Sequence, residues 1–189
     1  MTDTPASSDL TERASRVRLA CFDVDGTLTD GRLTYDSGGG ESKSFHVHDG
    51  QGLVLLRRAG IEVALVTARH STVVERRAAE LGVQACTGIG DKLRCVEGIA
   101  RAAGVALEQV AFMGDDLPDL RVMMRVGLSA CPADAHPWIH ERATWRSRRP
   151  GGAGAVREFA DAVLLAQGHV ESIIDALLAP EPMALGTQS

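Results

Sequence analysis

Runs of apolar residues that end abruptly at acidic or hydroxyl positions recur along this chain, and they set its architecture. Val17 to Phe22 reads as a buried strand that stops at Asp23-Val24-Asp25-Gly26-Thr27. Arg32 to Val47 alternates through Leu33 and Tyr35, then Lys43, Phe45 and Val47, across Ser37-Gly38-Gly39-Gly40, which predicts a β-hairpin. From there helix and strand periods alternate: a helix over Gly52 to Ala59, a strand over Ile61 to Val66, and a helix over His70 to Leu81. A helix through Leu93, Val96, Ile99 and Ala103, a strand at Val110 to Met113, and a helix after Pro118 ended by Gly127 continue the pattern. Weaker signals give a strand at Gly127 to Ala130, a short helix within Ala133 to His140 and an extended piece at Ala143 to Trp145. Val156 to Leu164 and Ile173 to Leu178 carry apolar stripes at helical spacing, expected to be packing faces. Alternating strands and helices of this kind predict an α/β fold, a parallel sheet flanked by helices, with the 32–47 hairpin inserted. In such sheets ligands sit beyond the carboxyl ends of the strands.

The chain of 189 residues is long enough for one substantial core, expected over residues 17–179. Residues 1–16 and 180–189 read as solvated tails, because they are polar or Pro-containing and lack periodicity. A formal net charge of −5 argues against a broad nucleic-acid surface and leaves room for a local basic pocket. Cys21, Cys86, Cys95 and Cys131 are too scattered for a zinc site or a disulfide framework, so free thiols are expected. No segment has the length and apolarity of a membrane span or a signal peptide, and a cytoplasmic location is the default reading.

The candidate chemistry lies at the strand ends. Asp23 and Asp25 place two carboxylates in one crevice, where one can attack an electrophile while the other transfers a proton, provided a cation offsets their repulsion. Taken alone, they would equally serve to cap a turn. Thr67 follows the second strand and is either a phosphate donor or a helix cap; Arg69 lies just beyond it. Lys92, at the start of the next helix, has a cation suited to a phosphoryl group, or is simply exposed. Gly114-Asp115-Asp116-Leu117-Pro118-Asp119 ends another apolar strand in three carboxylates, the ligand type that Mg2+ prefers. Asp23, Asp115 and a backbone carbonyl would suffice, with Asp116 or Asp119 in support.

Together, Asp-Val-Asp-Gly-Thr, Thr67, Lys92 and Gly-Asp-Asp-x-x-Asp resemble the haloacid dehalogenase superfamily, whose Rossmann-like fold the predicted elements fit. The resemblance implies that Asp23 is the nucleophile, Asp25 the acid–base, and Thr67 and Lys92 the phosphoryl holders. Mg2+ would be held by Asp23, Asp115 and the carbonyl of Asp25. Five pieces, among them Phe45-His46-Val47-His48-Asp49-Gly50-Gln51-Gly52 and Gly151-Gly152-Ala153-Gly154-Ala155-Val156-Arg157-Glu158, look like the 3-deoxy-D-manno-octulosonate 8-phosphate phosphatase family. That likeness implies a phosphorylated sugar acid as substrate, lipopolysaccharide precursor synthesis as context, and a homotetramer. It also implies a Gly-rich segment around Gly152 that approaches a neighbouring active site. Arg69 is then a candidate for the substrate carboxylate, and Arg146, Arg148 and Arg149 could attract the anion or form a solvated loop. His48, Ala68 and Ala153 depart from the family pattern. His46 and His48 share a face of the expected strand and read as hairpin surface or substrate-proximal donors. A phosphatase for another sugar phosphate, such as a nonulosonate 9-phosphate, a phosphomutase, and a non-catalytic assembly module remain as alternatives.

Overall fold

Strand β1 (Leu19–Phe22) is flanked by β4 (Glu62–Val66) on one side and β6 (Val110–Met113) on the other, all parallel. With β5 (Gln84–Cys86), β7 (Leu128–Cys131) and β8 (Trp145–Arg146) they form a six-stranded sheet of order β5-β4-β1-β6-β7-β8. The computed structural model describes residues 5–179, so the expected tail at 180–189 lies outside the described residues.

Successive side chains of each strand point to opposite faces, and both faces are buried. Ala20, Phe22, Val63, Leu65, Ala111 and Met113 pack under α2 (Val47–Arg58) and α7 (Ala155–Ala166), meeting Leu53, Leu56 and Phe159. Leu19, Cys21, Ala64, Val66, Val110 and Phe112 face the other layer, where α4 (Lys92–Ala103), α5 (Leu120–Met123) and α6 (Pro137–His140) contribute Leu93, Val96, Val122 and Ile139. Burial on two faces explains why these strands read as unbroken apolar runs. Phe22 pairs with Leu65 on β4 and with Met113 on β6, so the three central strands end together. Asp23, Thr67 and the Gly114–Asp119 turn therefore emerge on one rim.

Several expectations need correction. The expected tail to Arg16 contains α1 (Pro5–Ser15): Ala14 is buried, Arg13 donates to the Gly127 carbonyl at 3.0 Å, and the Gln167 amide donates to the Ala14 and Val17 carbonyls. Its apolar face is too narrow to show as a period. The hairpin ladder is short, with β2 (Thr34–Tyr35) pairing with β3 (Glu41–Ser42), and α2 begins at Val47 instead of Gly52. His46 is consequently the N-cap of α2, its Nδ1 accepting from the His48 amide at 3.2 Å, and the two histidines do not share a strand face. Pro118 lies inside a 3₁₀ turn, Leu117–Asp119, that leads into α5, which stops at Met123, short of Gly127. Gly127 instead lets the chain pass Glu108, whose carbonyl oxygen would lie 2.0 Å from an added Cβ. Among the described residues the remaining α-helices are α3 (Thr72–Leu81) and α8 (Val170–Leu178). Helix α8 has no buried residue, and Ile174, Leu177 and Leu178 of its expected packing stripe are exposed.

Candidate active site

Asp23 follows directly on Phe22, and its amide donates to the Met113 carbonyl at 2.9 Å, which fixes the first residue of the loop to the sheet. The chain then turns sharply. The amides of Thr27, Leu28 and Thr29 all reach the Val24 carbonyl, and Gly26 adopts φ 96°, a conformation open to glycine at little cost. Sterics demand glycine there too, because an added Cβ would sit 2.1 Å from Asp115 Oδ2.

The carboxylates of Asp23, Asp115 and Asp119 offer oxygens within 4.8 Å of one another. Lys92, at the first turn of α4, places its Nζ 2.5 Å from Asp23 Oδ1 and 2.5 Å from Asp119 Oδ1. Burial opposes the Lys92 ammonium, but the two carboxylates outweigh it and raise its pKa. Lys92 therefore stays charged in the site. Burial, then the charge of Asp119, pushes Asp115 up to about 6, and the same two causes raise Asp23 against the pull of Lys92. Three crowded carboxylates with one ammonium leave an excess of negative charge. An all-oxygen donor set of this kind fits a hard divalent cation.

Asp119 accepts from Lys92 with one oxygen and from the Asp115 and Asp116 amides with the other, at 3.2 and 3.4 Å. It holds both the lysine and the turn bearing Asp115. Asp116 does not join it: its side chain is exposed and caps the 3₁₀ turn through the Leu117 amide. Thr27 Oγ1 donates to Asp115 Oδ1 at 3.3 Å. Thr67 lies beside Asp25, its hydroxyl 3.5 Å from Asp25 Oδ2. Asp23, Asp25, Thr67, Lys92 and Asp115 thus share one rim, as their strand-end positions imply.

Gly152 lies against the loop that follows β1 of its own chain. Its amide donates to the Thr27 carbonyl at 3.0 Å, and a Cβ on Gly151 would meet the Gly26 carbonyl oxygen at 1.9 Å. The Gly-rich turn braces the Asp23–Thr29 loop of the same chain from behind. Asp49, buried on α2, holds the turn by accepting from the Gly154 and Arg157 amides at 3.1 and 2.8 Å.

The hairpin supplies side chains to the rim that the strand-end reading did not include. Lys43 is ion-paired to Asp25 and lies 3.4 Å from Glu41. Glu41 also accepts from Arg69 at 2.8 Å and from Ser71 at 2.9 Å, and Tyr35 Oη accepts from Arg69 at 2.8 Å. The bond to Glu41, then that to Tyr35, raises the pKa of Arg69. The available signal was position alone: Lys43 falls between the exposed Ser42 and Ser44 on the inward side of the hairpin.

The chain is 43% identical to the 3-deoxy-D-manno-octulosonate 8-phosphate phosphatase KdsC of Escherichia coli over 168 residues, covering 88% of this chain and 89% of that one. This chain belongs to the octulosonate 8-phosphate phosphatase family. No family model matches it. Among solved structures, the octulosonate 8-phosphate phosphatase of Moraxella catarrhalis, in complex with a magnesium ion, a phosphate ion and a KDO molecule, superposes with a TM-score of 0.87 at 36% identity. The match covers 90% of this chain and 98% of that one. A hypothetical protein from Xanthomonas campestris reaches a TM-score of 0.90 at 55% identity, covering 95% and 97%. Membership of the octulosonate 8-phosphate phosphatase family accords with the six-stranded parallel sheet and with the shared rim of Asp23, Lys92 and Asp115.

Away from that rim, a groove of about 780 Å³ is lined by His48, Arg146, Arg148, Arg149 and Arg157. The charges there are partly spent, Arg148 on Glu158 at 2.6 Å and Arg157 on Asp161 at 2.7 Å. None of the five rim residues lines it.

Proposed function

We propose that this chain is a magnesium-dependent phosphatase that hydrolyses 3-deoxy-D-manno-octulosonate 8-phosphate to 3-deoxy-D-manno-octulosonate and phosphate. One observation carries the reading: a buried Asp23, ion-paired to Lys92, stands within ligand distance of Asp115 and Asp119 at the carboxyl end of the central strand.

Asp23 attacks phosphorus, forming an aspartyl-phosphate as the bond to the sugar oxygen breaks. Asp25 gives its proton to the departing alkoxide, then takes one from the water that attacks phosphorus and frees Asp23. Thr67 donates its hydroxyl to a phosphoryl oxygen, and the Lys92 ammonium neutralises charge on the attacking and transferred groups. Asp119 keeps Lys92 in place from below. Mg2+, held by Asp23, Asp115 and the Asp25 carbonyl, supplies further charge neutralisation to the phosphoryl group when bound. Arg69 is the candidate for the sugar acid's carboxylate, a role supported by the family resemblance, and it would have to give up its bonds to Glu41 and Tyr35 to grip it with both nitrogens. The enzyme works as a cytoplasmic homotetramer in lipopolysaccharide precursor synthesis, a reading supported by the family resemblance.

Phosphate release with Mg2+ should be compared for octulosonate 8-phosphate, a nonulosonate 9-phosphate and hexose phosphates, with Asp23→Asn as blank. Selectivity for the octulosonate is the expected result. Turnover spread evenly over the set would overturn the substrate, and release from none of them would overturn the phosphatase.

A further inference from the structure

A lysine on a projecting hairpin ordinarily runs its stem along the surface and keeps its ammonium in water. Lys43 does the opposite. Its side chain is 1% exposed, although it follows a strand whose neighbours Ser42 and Ser44 face solvent. Burying an ammonium is costly unless it is paired, and the partners here are Asp25 Oδ1 and, at 3.4 Å, Glu41 Oε1. The two oxygens of Asp25 are therefore inequivalent. Oδ1 is taken by Lys43. Oδ2 faces Thr67 Oγ1 at 3.5 Å and Arg69 Nε at 3.9 Å, separations too long for strong bonds. Arg69 Nε is itself buried with no hydrogen-bond partner among the described residues. Asp25 thus has one oxygen committed to Lys43 and a second held only loosely, beside a hydroxyl and an N–H that has no hydrogen-bond partner among the described residues.

We infer that Lys43 is a positioning residue for Asp25: by fixing Oδ1 it aims Oδ2 at the ester oxygen, so that Oδ2 is the atom that gives and takes the proton. The inference rests on Asp25 being the acid–base of the proposed reaction. Glu41, tied to Arg69 and Ser71, anchors the hairpin end of the tether. The hairpin is then part of the catalytic apparatus as well as a cap, because withdrawing it would release the Asp25 rotor.

Two substrates separate positioning from structure. A sugar phosphate leaves as an alkoxide and needs a proton, whereas 4-nitrophenyl phosphate leaves as a stable phenolate and does not. In Lys43→Met, kcat for octulosonate 8-phosphate should fall about tenfold to a hundredfold, less than the roughly hundredfold to ten-thousandfold that a general acid–base supplies because Asp25 itself remains, with KM changed by less than about threefold. Single-turnover nitrophenol release by the same variant should change by less than about threefold, since that step needs no acid. Lys43→Arg, which keeps the cation, should recover most of the lost kcat and serves if the methionine variant folds poorly. Equal losses on both substrates, an effect on KM alone, or an unchanged kcat would each overturn the role of Lys43. Asp25→Asn distinguishes the two levels of the argument. If it keeps full turnover, the acid–base reading falls. If it loses turnover while Lys43→Met does not, only the inference about Lys43 falls.

Discussion

At Asp23 a single carboxylate is asked to be reactive and to live beside two others, and the fold accepts the resulting instability. Its pKa is raised by burial and by Asp119, so the charged form is disfavoured in the folded protein relative to the unfolded chain. The sign follows: a carboxylate with a raised folded pKa destabilises the fold at pH values above it. Asp23→Asn should therefore melt no lower than wild type without metal, and higher where the relief of charge exceeds the lost contact with Lys92, which keeps Asp119. Turnover should fall by about a thousandfold or more, as when a covalent nucleophile is removed. Thermal melts and phosphate release on the same preparation check both halves. A variant that loses activity and melts well below wild type would contradict the charge argument. Mg2+ should raise the melting temperature of wild type more than that of the variant, because the added cation gains one carboxylate fewer.

Helix α7 shows how a distant element sets the back wall of the site. Its first amides point at Asp49 of α2, and the Gly-rich turn before it lies against the loop carrying Gly26 and Thr27. Asp49→Ala leaves the Gly154 and Arg157 amides unpartnered beside a buried position and should cost about 1–3 kcal/mol, read from urea unfolding. Asp49→Asn, which can still accept, should lose less. Glu158 in the first turn of α7 adds a pH-dependent clamp. Burial opposes its charge, but Ser147 Oγ at 2.6 Å and the amide and guanidinium of Arg148 outweigh it and hold its pKa low. With a depressed folded pKa, its contribution is present above the unfolded value of about 4.3 and is lost as pH falls through the folded one. Wild type should be more stable than Glu158→Gln at pH 7, and the gap should close in acid; a constant gap would show that charge is not its source. These contacts also mark the limit of what the sequence discloses. Asp23, Thr67, Lys92 and Asp115 were legible because each ends an apolar strand or opens a helix, which are local patterns. Asp49 and Lys43 were not, because their meaning comes from partners 105 and 18 positions away. Helix α1 was missed because polar residues surround its few packed ones, and the start of α2 because Phe45 and Val47 continue the hairpin's alternation into the helix.

For the whole molecule the open question is what covers the hairpin. Two residues per strand form its ladder, both outer edges are unpaired, and Leu33 and Tyr35 are 48% and 56% exposed. An isolated two-stranded ribbon is marginal in water, and unpaired edges favour association. Ion pairs to Asp25 and Arg69, with the bond from Arg69 to the Tyr35 hydroxyl, tie it to the site, yet they leave Leu33 and much of the Tyr35 ring exposed on its other side. The proposed homotetramer would bury that side and so stabilise the ribbon that carries Lys43. Sedimentation velocity at micromolar concentration should then give a tetramer for wild type and smaller species for Leu33→Glu, which places a charge at an exposed apolar position of the hairpin. Turnover of Leu33→Glu should fall with dissociation and recover as protein concentration rises, because Asp25 is held through the hairpin that association orders. The same charge placed on α8, as Leu177→Glu, should leave the tetramer intact if the hairpin is the contact. A monomeric wild type, or a Leu33→Glu protein that stays tetrameric, would assign the exposed hairpin residues another role.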